Sequence, residues 1–289
     1  DGNIAYVKWD MNRIFSDYYS QALPADRQKE VGHRYMMGLY KMCDTLMSRF
    51  PHILFEGCAS GGNRFDLGML CYFPQIWASD DSDAVYRVNG QTGYSYGYPM
   101  SCVSAHVSDC PNHQTLRKTP MASRFQVAAF GVLGYECNLC EMSSDDVKDI
   151  KEQITLYKKW REVLQYGTFY RGRVYENNTY EWTCVSPDKK RAVGFEMQVL
   201  FNPNTHFETY SPKGLDADTK YHFTNRQLKI NIKEFGGLIN QVVPFHIKQD
   251  SIIHNLAAKL VKMDAEKEDC VASGKLLMDG GVKLKQNFG

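Results

Sequence analysis

Ile4-Ala-Tyr-Val-Lys-Trp-Asp10 is a short apolar run that ends in charge, the pattern of a buried parallel strand whose C-terminal end reaches solvent. Side chains alternate across a strand, so Tyr6, Lys8 and Asp10 share one face and Val7 and Trp9 the other. Two further runs have the same character. Ile53-Leu-Phe-Glu-Gly-Cys58 passes into a glycine-rich turn, and Gln75-Ile-Trp-Ala-Ser-Asp80 passes into a cluster of acids. Ser101-Cys-Val-Ser-Ala-His106 and Val132-Leu-Gly-Tyr135 read as a fourth and a fifth strand. Helical periodicity fills much of the sequence between and after them. One stretch runs from about Asp26 to Phe50 and is stopped by Pro51, and another starts near Pro120 and runs through Phe130. A third is capped by Ser143-Ser-Asp-Asp146 and continues to about Gln165, with acids in its first turn and Lys158, Lys159 and Arg161 in later turns.

Strands alternating with helices imply an α/β fold with a parallel sheet, open or closed. Five such units leave a closed eight-stranded barrel three units short, and the chain opens on Asp rather than Met. A barrel whose N-terminal half precedes this segment accounts for both facts. A complete five-stranded doubly wound sheet is the alternative, but no phosphate-binding glycine fingerprint follows any strand. Beyond Gly167 the pattern changes. Phe169–Tyr175, Thr179–Val185 and Ala192–Leu200 alternate in polarity and are separated by Asn177-Asn178 and Ser186-Pro-Asp188, which are turn signals of antiparallel β structure. The expected architecture is a partial (β/α)8 TIM barrel, strands 4–8, over residues 1–165, followed by an antiparallel, sandwich-like β domain over residues 166–289.

In a parallel α/β sheet, functional groups gather at the C-terminal strand ends. Lys8 and Asp10 would share the barrel mouth there. An ammonium close to a carboxylate keeps it ionised, as a nucleophile requires; a structural ion pair is the competing reading. On the third strand, alternation would set Ile76, Ala78 and Asp80 on one face, and a carboxylic acid among apolar neighbours can hold a proton for a leaving group. Asp81 and Asp83 lie too close for spacing to choose among the three, and one of them suits a helix N-cap. Two carboxylates on separate strands are the minimum equipment of glycoside hydrolysis. In Glu56-Gly-Cys-Ala-Ser-Gly-Gly-Asn-Arg64, glycines let backbone approach a ligand closely, so a sugar hydroxyl could bond Cys58 and the Gly61 and Gly62 amides. A bare tight turn is the alternative, and a phosphate cradle is disfavoured because no Lys-Ser/Thr follows, as a P-loop would require.

The composition narrows the classes further. Of 289 residues 43% are hydrophobic and 23% charged, enough for a sizeable core, and a net charge of +1 draws the chain toward neither nucleic acid nor an anionic membrane. No apolar run reaches the length of a membrane span, and no basic-then-apolar leader opens the chain. The 9 scattered cysteines fit free thiols in a reducing, cytoplasmic compartment. Cys137-Asn-Leu-Cys140 has no second pair at zinc spacing, so no metal is expected. The 18 tyrosines suit a carbohydrate binder, though tyrosine also packs well in sheets.

Three motifs carry a family resemblance. Tyr6-Val-Lys-Trp-Asp-Met-Asn-Arg13 resembles the nucleophile motif of glycoside hydrolase family 36, the bacterial and fungal α-galactosidases. Phe55-Glu-Gly-Cys-Ala-Ser-Gly-Gly-Asn-Arg-Phe-Asp66 is similar to its galactose-binding loop, and Pro74-Gln-Ile-Trp-Ala-Ser-Asp-Asp-Ser-Asp-Ala84 to its acid/base motif. Leu156–Tyr170 resembles the family's join between barrel and C-terminal β domain. The resemblance implies a retaining α-galactosidase acting on oligosaccharides such as melibiose and raffinose. It assigns Asp10 as nucleophile and Asp80, rather than Asp81 or Asp83, as acid/base. It also assigns Lys8, Trp9, Asn12, Cys58, Gly61, Gly62 and Arg64 as substrate-binding residues. No cofactor or metal is implied, and a homo-oligomer, a tetramer by resemblance, is expected. The family's early-strand Asp-Asp pair and an N-terminal β-sandwich lie outside the segment. A galactosyl transferase of the raffinose-synthase type and a non-catalytic carbohydrate-binding fragment are the rival readings.

Overall fold

The computed structural model describes residues 2–12, 17–176, 178–200 and 209–284. Arg13 of the first motif and Asn177 of the first turn signal lie outside them. The chain divides into two compact units, Asp1–Phe169 and Tyr170–Gly289.

The first unit is built on five strands: β1 (Tyr6–Asp10), β2 (Leu54–Cys58), β3 (Gln75–Trp77), β4 (Val103–Ser108) and β5 (Val132–Glu136). They lie side by side in sequence order, each parallel to the next. Helices α1 (Val31–Arg49), α2 (Leu67–Leu70), α3 (Ala84–Tyr94), α4 (Met121–Ala128) and α5 (Ser144–Tyr166) alternate with or follow them, and a short 3-10 segment, Ala25–Glu30, leads into α1. α1 ends before Phe50, because Pro51 disfavours helical dihedrals in the residue ahead of it. Asp83 caps α3 by accepting the Val85 N–H at 2.8 Å, and Ser143 caps α5 from Asp146 at 3.1 Å.

The parallel register gives the sheet two unlike faces. Phe55, Ile76 and Val103 pack with Leu39 and Cys43 of α1 and Met69 of α2, and Val7 and Trp9 lie partly buried against the same cluster. The other face is polar. Lys8 lies beside Glu56 and Glu56 beside Gln75, Asp10 lies beside Cys58, and Trp77 lies beside Ser104. A Cβ at Gly134 would come within 2.7 Å of the His106 imidazole, so glycine at this register position makes room for that ring.

In the second unit β6 (Thr168–Glu176), β7 (Thr179–Val185) and β8 (Ala192–Gln198) form a three-stranded sheet, with β7 and β8 antiparallel. β9 (Thr209–Tyr210), β10 (Lys220–Thr224), β11 (Lys229–Asn231), β12 (Lys262–Asp264), β13 (Asp269–Ser273) and β14 (Val282–Lys283) pair as three antiparallel two-stranded ladders, with α6 (Ile252–Leu260) and α7 (Gly274–Gly280) between them. Every residue of β7 is buried, and Trp182 stacks on Phe195 at 4.5 Å between ring centroids. The buried Tyr210 hydroxyl bonds to the Thr183 hydroxyl at 2.7 Å and the Trp182 carbonyl at 3.0 Å, and it lies where a Cβ of Gly194 would be. The expected sheet of three strands is there. The ladders and the two helices have no counterpart in the sequence reading.

Candidate active site

β1 ends on Asp10 and β2 on Cys58, and the parallel register sets the two side by side. The pairing continues one residue past the strand, where the Met11 N–H donates to the Cys58 carbonyl at 3.1 Å. The Asn12 side-chain oxygen then accepts the Ser60 N–H at 2.9 Å. Asp10 sits exposed among these groups. Burial pushes its carboxyl up, but hydrogen bonds from the Cys58 thiol, the Asn12 amide and the N–H groups of Ser60 and Met11 outweigh it and hold the carboxyl below its ordinary value. At neutral pH Asp10 is an ionised, solvent-facing carboxylate, as a nucleophile must be.

Lys8 does not produce that state. Its ammonium is turned toward Glu56, with Nζ 3.9 Å from Oε1, and over the Trp77 ring, 4.5 Å from the centroid. The expectation that Lys8 keeps Asp10 ionised gives way to hydrogen bonds converging from the residues after Asp10 and from the neighbouring strand and its turn. Glu56, which the sequence reading passed over, is 1% exposed; burial pushes its carboxyl up, against the Ser104 hydroxyl, His106 and Gln75. Gln75 Nε2 donates to Glu56 Oε2 at 2.9 Å. A lone acid inside an apolar strand was the available signal for this residue.

Trp77 is the hub of the polar face. Lys8 lies over its ring, as does the Arg87 guanidinium at 4.6 Å, and the His106 ring packs against it tilted by 32° with centroids 4.4 Å apart. Its indole Nε1 donates to Asp80 Oδ1 at 2.9 Å. β3 stops at Trp77, three residues before Asp80, so the expected alternation of Ile76, Ala78 and Asp80 does not hold. Ile76 and Ala78 belong to the helix-side core, whereas Asp80 is exposed and takes its hydrogen bond from the polar face. The three neighbouring acids separate cleanly. Asp83 caps α3 and binds Arg117 Nη1 at 2.7 Å and the Thr115 hydroxyl at 2.6 Å, all with a fully buried side chain. Asp81 accepts the Asp83 N–H at 3.0 Å and is half-buried. Asp80 alone of the three is exposed.

Two of the expected substrate-binding residues are engaged on the helix side of the sheet. Trp9 is on the helix-side face, its ring 6.0 Å from that of Phe73, because strand alternation turns it away from Asp10. Arg64 is held by the Tyr35 hydroxyl and the Met11 sulfur, both at 2.9 Å, which directs its guanidinium toward α1. Asn12 and Cys58 assemble around Asp10, and Gly61 and Gly62 lie against the backbone that carries Asp80. Among the described residues no group of three or more His, Cys, Asp or Glu is placed to hold a metal ion.

Residues 1–167 match the Melibiase family and residues 179–289 the glycosyl hydrolase family 36 C-terminal domain. The chain is 52% identical over 191 residues to alpha-galactosidase 1 of Pediococcus pentosaceus, covering 66% of this chain and 26% of that protein. It is 46% identical over 219 residues to alpha-galactosidase AgaA of Geobacillus stearothermophilus, covering 75% and 30%. A crystal structure of the Lactobacillus brevis alpha-galactosidase superimposes with a TM-score of 0.81 at 35% identity, over 99% of this chain and 33% of that one. AgaA crystallised with raffinose superimposes with a TM-score of 0.79 at 36% identity, over 99% and 34%. The chain thus spans between about a quarter and a third of these relatives, and its parallel sheet is the C-terminal part of a (β/α)8 barrel followed by an antiparallel β domain. With one exposed carboxylate at the end of β1, another on the loop after β3, and both family matches along its length, the chain belongs to glycoside hydrolase family 36, the melibiases.

Proposed function

We propose that this chain carries the catalytic carboxylates of a retaining α-galactosidase that releases terminal α-D-galactosyl residues from oligosaccharides such as melibiose and raffinose. One observation carries the reading: Asp10 is exposed and its carboxyl is held below the ordinary range by donors that converge on it from the end of its own strand (Met11, Asn12) and from the next strand and its turn (Cys58, Ser60). Such a group attacks an anomeric carbon without first losing a proton. Asp80, an exposed acid on the following loop, then serves as the general acid that protonates the departing oxygen and as the base that activates water against the glycosyl ester. Lys8 and Asn12 stand on either side of Asp10 in the chain and are assigned to galactose hydroxyls. Relatives support the substrate class, since AgaA has been crystallised with raffinose and with stachyose. The cysteines, all free, fit a reducing, cytoplasmic setting.

The decisive test is Asp10→Gly in the full-length protein. Turnover of an aryl α-galactoside should fall on the order of 10⁴-fold or more. Added azide should restore part of it by entering the emptied space, with β-galactosyl azide as product. Wild-type turnover in this variant would overturn the assignment.

A further inference from the structure

We infer that Gly61 is a positioning residue that sets the separation of the two carboxylates. The inference rests on the reading of Asp10 and Asp80 given above and adds what holds them apart. The turn Cys58–Gly62 is bound to the Asp10 strand on one side by Met11 N–H to the Cys58 carbonyl at 3.1 Å and Ser60 N–H to Asn12 at 2.9 Å. It closes on itself through Ala59 N–H to the Gly61 carbonyl at 3.0 Å. On its other side it lies directly on the backbone that carries Asp80. A Cβ at Gly61 would stand 2.9 Å from Ser79 Cα and 3.0 Å from the Asp80 nitrogen, and one at Gly62 would stand 2.6 Å from the Ala78 carbonyl oxygen. Gly61 also has φ of +79°, in the left-handed region where a Cβ is disfavoured.

The Asp80 loop cannot retreat from this contact. The Tyr94 hydroxyl donates to the Ala78 carbonyl at 3.0 Å and Arg87 Nη1 to the Ser79 carbonyl at 3.0 Å, both from α3 behind the loop. The loop is therefore clamped between α3 and the glycine turn, and the turn is fixed to the strand that ends in Asp10. Glycine at 61 lets two backbones meet with only a hydrogen between them. Retention requires carboxyl groups about 5–5.5 Å apart, and separations of about 6.5 Å or more suit inversion, so a methyl group's thickness at this contact matters.

The test compares substrates in the full-length protein carrying Gly61→Ala. A displaced acid harms leaving groups that need a proton. The kcat/KM for melibiose should fall about 100-fold, the scale of a 1 Å misplacement. Glycosylation by a dinitrophenyl galactoside, which departs as a stable anion, should fall less than about tenfold, because proton donation contributes little there. The inhibition constant for galactose should stay within about threefold of wild type, since the backbone amide that Gly61 could offer a sugar hydroxyl is kept in alanine. Equal losses on both substrates, or a rise in the galactose constant that matches the activity loss, would overturn the inference and make Gly61 a sugar contact. Should Gly61→Ala fail to fold, Tyr94→Phe removes only the oxygen that pins Ala78, and it should lower the melibiose-to-dinitrophenyl ratio about threefold; an unchanged ratio overturns the inference. If Asp80→Ala itself shows no difference between the substrates, the acid/base assignment has failed instead.

Discussion

The two faces of the barrel sheet share the same backbone hydrogen bonds and do opposite work. Toward the helices, Phe55, Ile76 and Val103 sit in a closed apolar cluster with α1 and α2. Toward the lumen, Lys8, Glu56, Gln75, Trp77 and His106 touch one another through charge, ring stacking and hydrogen bonds, and Asp10 and Asp80 lie at the open end. Folding free energy is concentrated on the first face because apolar burial contributes roughly 25 cal/mol per Å². On the second face, which buries Trp77 and Glu56, Asp10 and Asp80 are left exposed, where they add little stability and supply reactivity. Alternation along β1, β2 and β3 brings both kinds of residue to neighbouring positions, so single substitutions can separate the two roles.

Asp80→Ala should give the largest separation. Hydrolysis of raffinose should fall about 10³-fold, within the range for loss of a general acid. Glycosylation by a dinitrophenyl galactoside should change about tenfold or less, and the unfolding midpoint in urea should move little, because Asp80 is exposed and its indole hydrogen bond is worth about 1 kcal/mol. A large fall in stability would mean that the lumen face bears folding energy after all.

Ile76→Ala probes the opposite face. Ile76 is 1% exposed, and its truncation should cost about 2–5 kcal/mol in urea unfolding. The folded fraction should retain kcat/KM within about tenfold of wild type, since no group at the strand ends is removed. Loss of activity at unchanged stability would dissolve the distinction between the faces.

The smallest effect is expected at Cys58, whose thiol burial pushes up to about 11, with the hydrogen bond to Asp10 adding to the rise. Its thiolate fraction at pH 7 is on the order of 10⁻⁴, so thiol reagents should modify the exposed Cys71, Cys110, Cys140 and Cys270 first. Cys58→Ala removes a donor that lowers the Asp10 carboxyl, so that carboxyl should rise toward its ordinary value. The acidic limb of the kcat/KM profile reports the group that must be ionised in the free enzyme, and it should therefore shift to higher pH. The same sign holds for stability. A depressed carboxyl stabilises the fold above its unfolded-state value and ceases to do so as pH falls through the folded-state value, and the variant should lose this contribution at a higher pH than wild type. An unchanged acidic limb would mean that Asn12 and the backbone N–H groups suffice to hold Asp10 ionised.

Much of this was legible in the sequence because strands and caps are local. The five lumen strands, Ser143 at the start of α5 and the strand-end position of Asp10 all follow from short-range patterns. The environment of Asp80 was not legible. Its partner is an indole three residues earlier, and the contact exists only because β3 stops at Trp77 and the chain bends. The contact of the glycine turn with the Ser79–Asp80 backbone was not legible either, because the two segments are distant in sequence. The partner of Arg64, Tyr35 on α1, lies 29 residues away and gives no local signal. The second unit was the least legible. Two- and three-residue ladders such as β9 with β14 are too short to carry a period, and only their long-range pairing defines them.

The fit of Tyr210 against Gly194 has a consequence for the routes by which this sequence can change. A side chain at 194 and a tyrosine at 210 occupy the same space, so either residue constrains what the other can become. Replacing Gly194 first meets a buried ring held by Thr183 and Trp182 and is strongly unfavourable. Shrinking Tyr210 first opens a cavity that a later side chain at 194 can fill. The two substitutions are epistatic and the order matters: a lineage reaches the swapped pair through the smaller residue at 210, and the reverse path is closed at its first step.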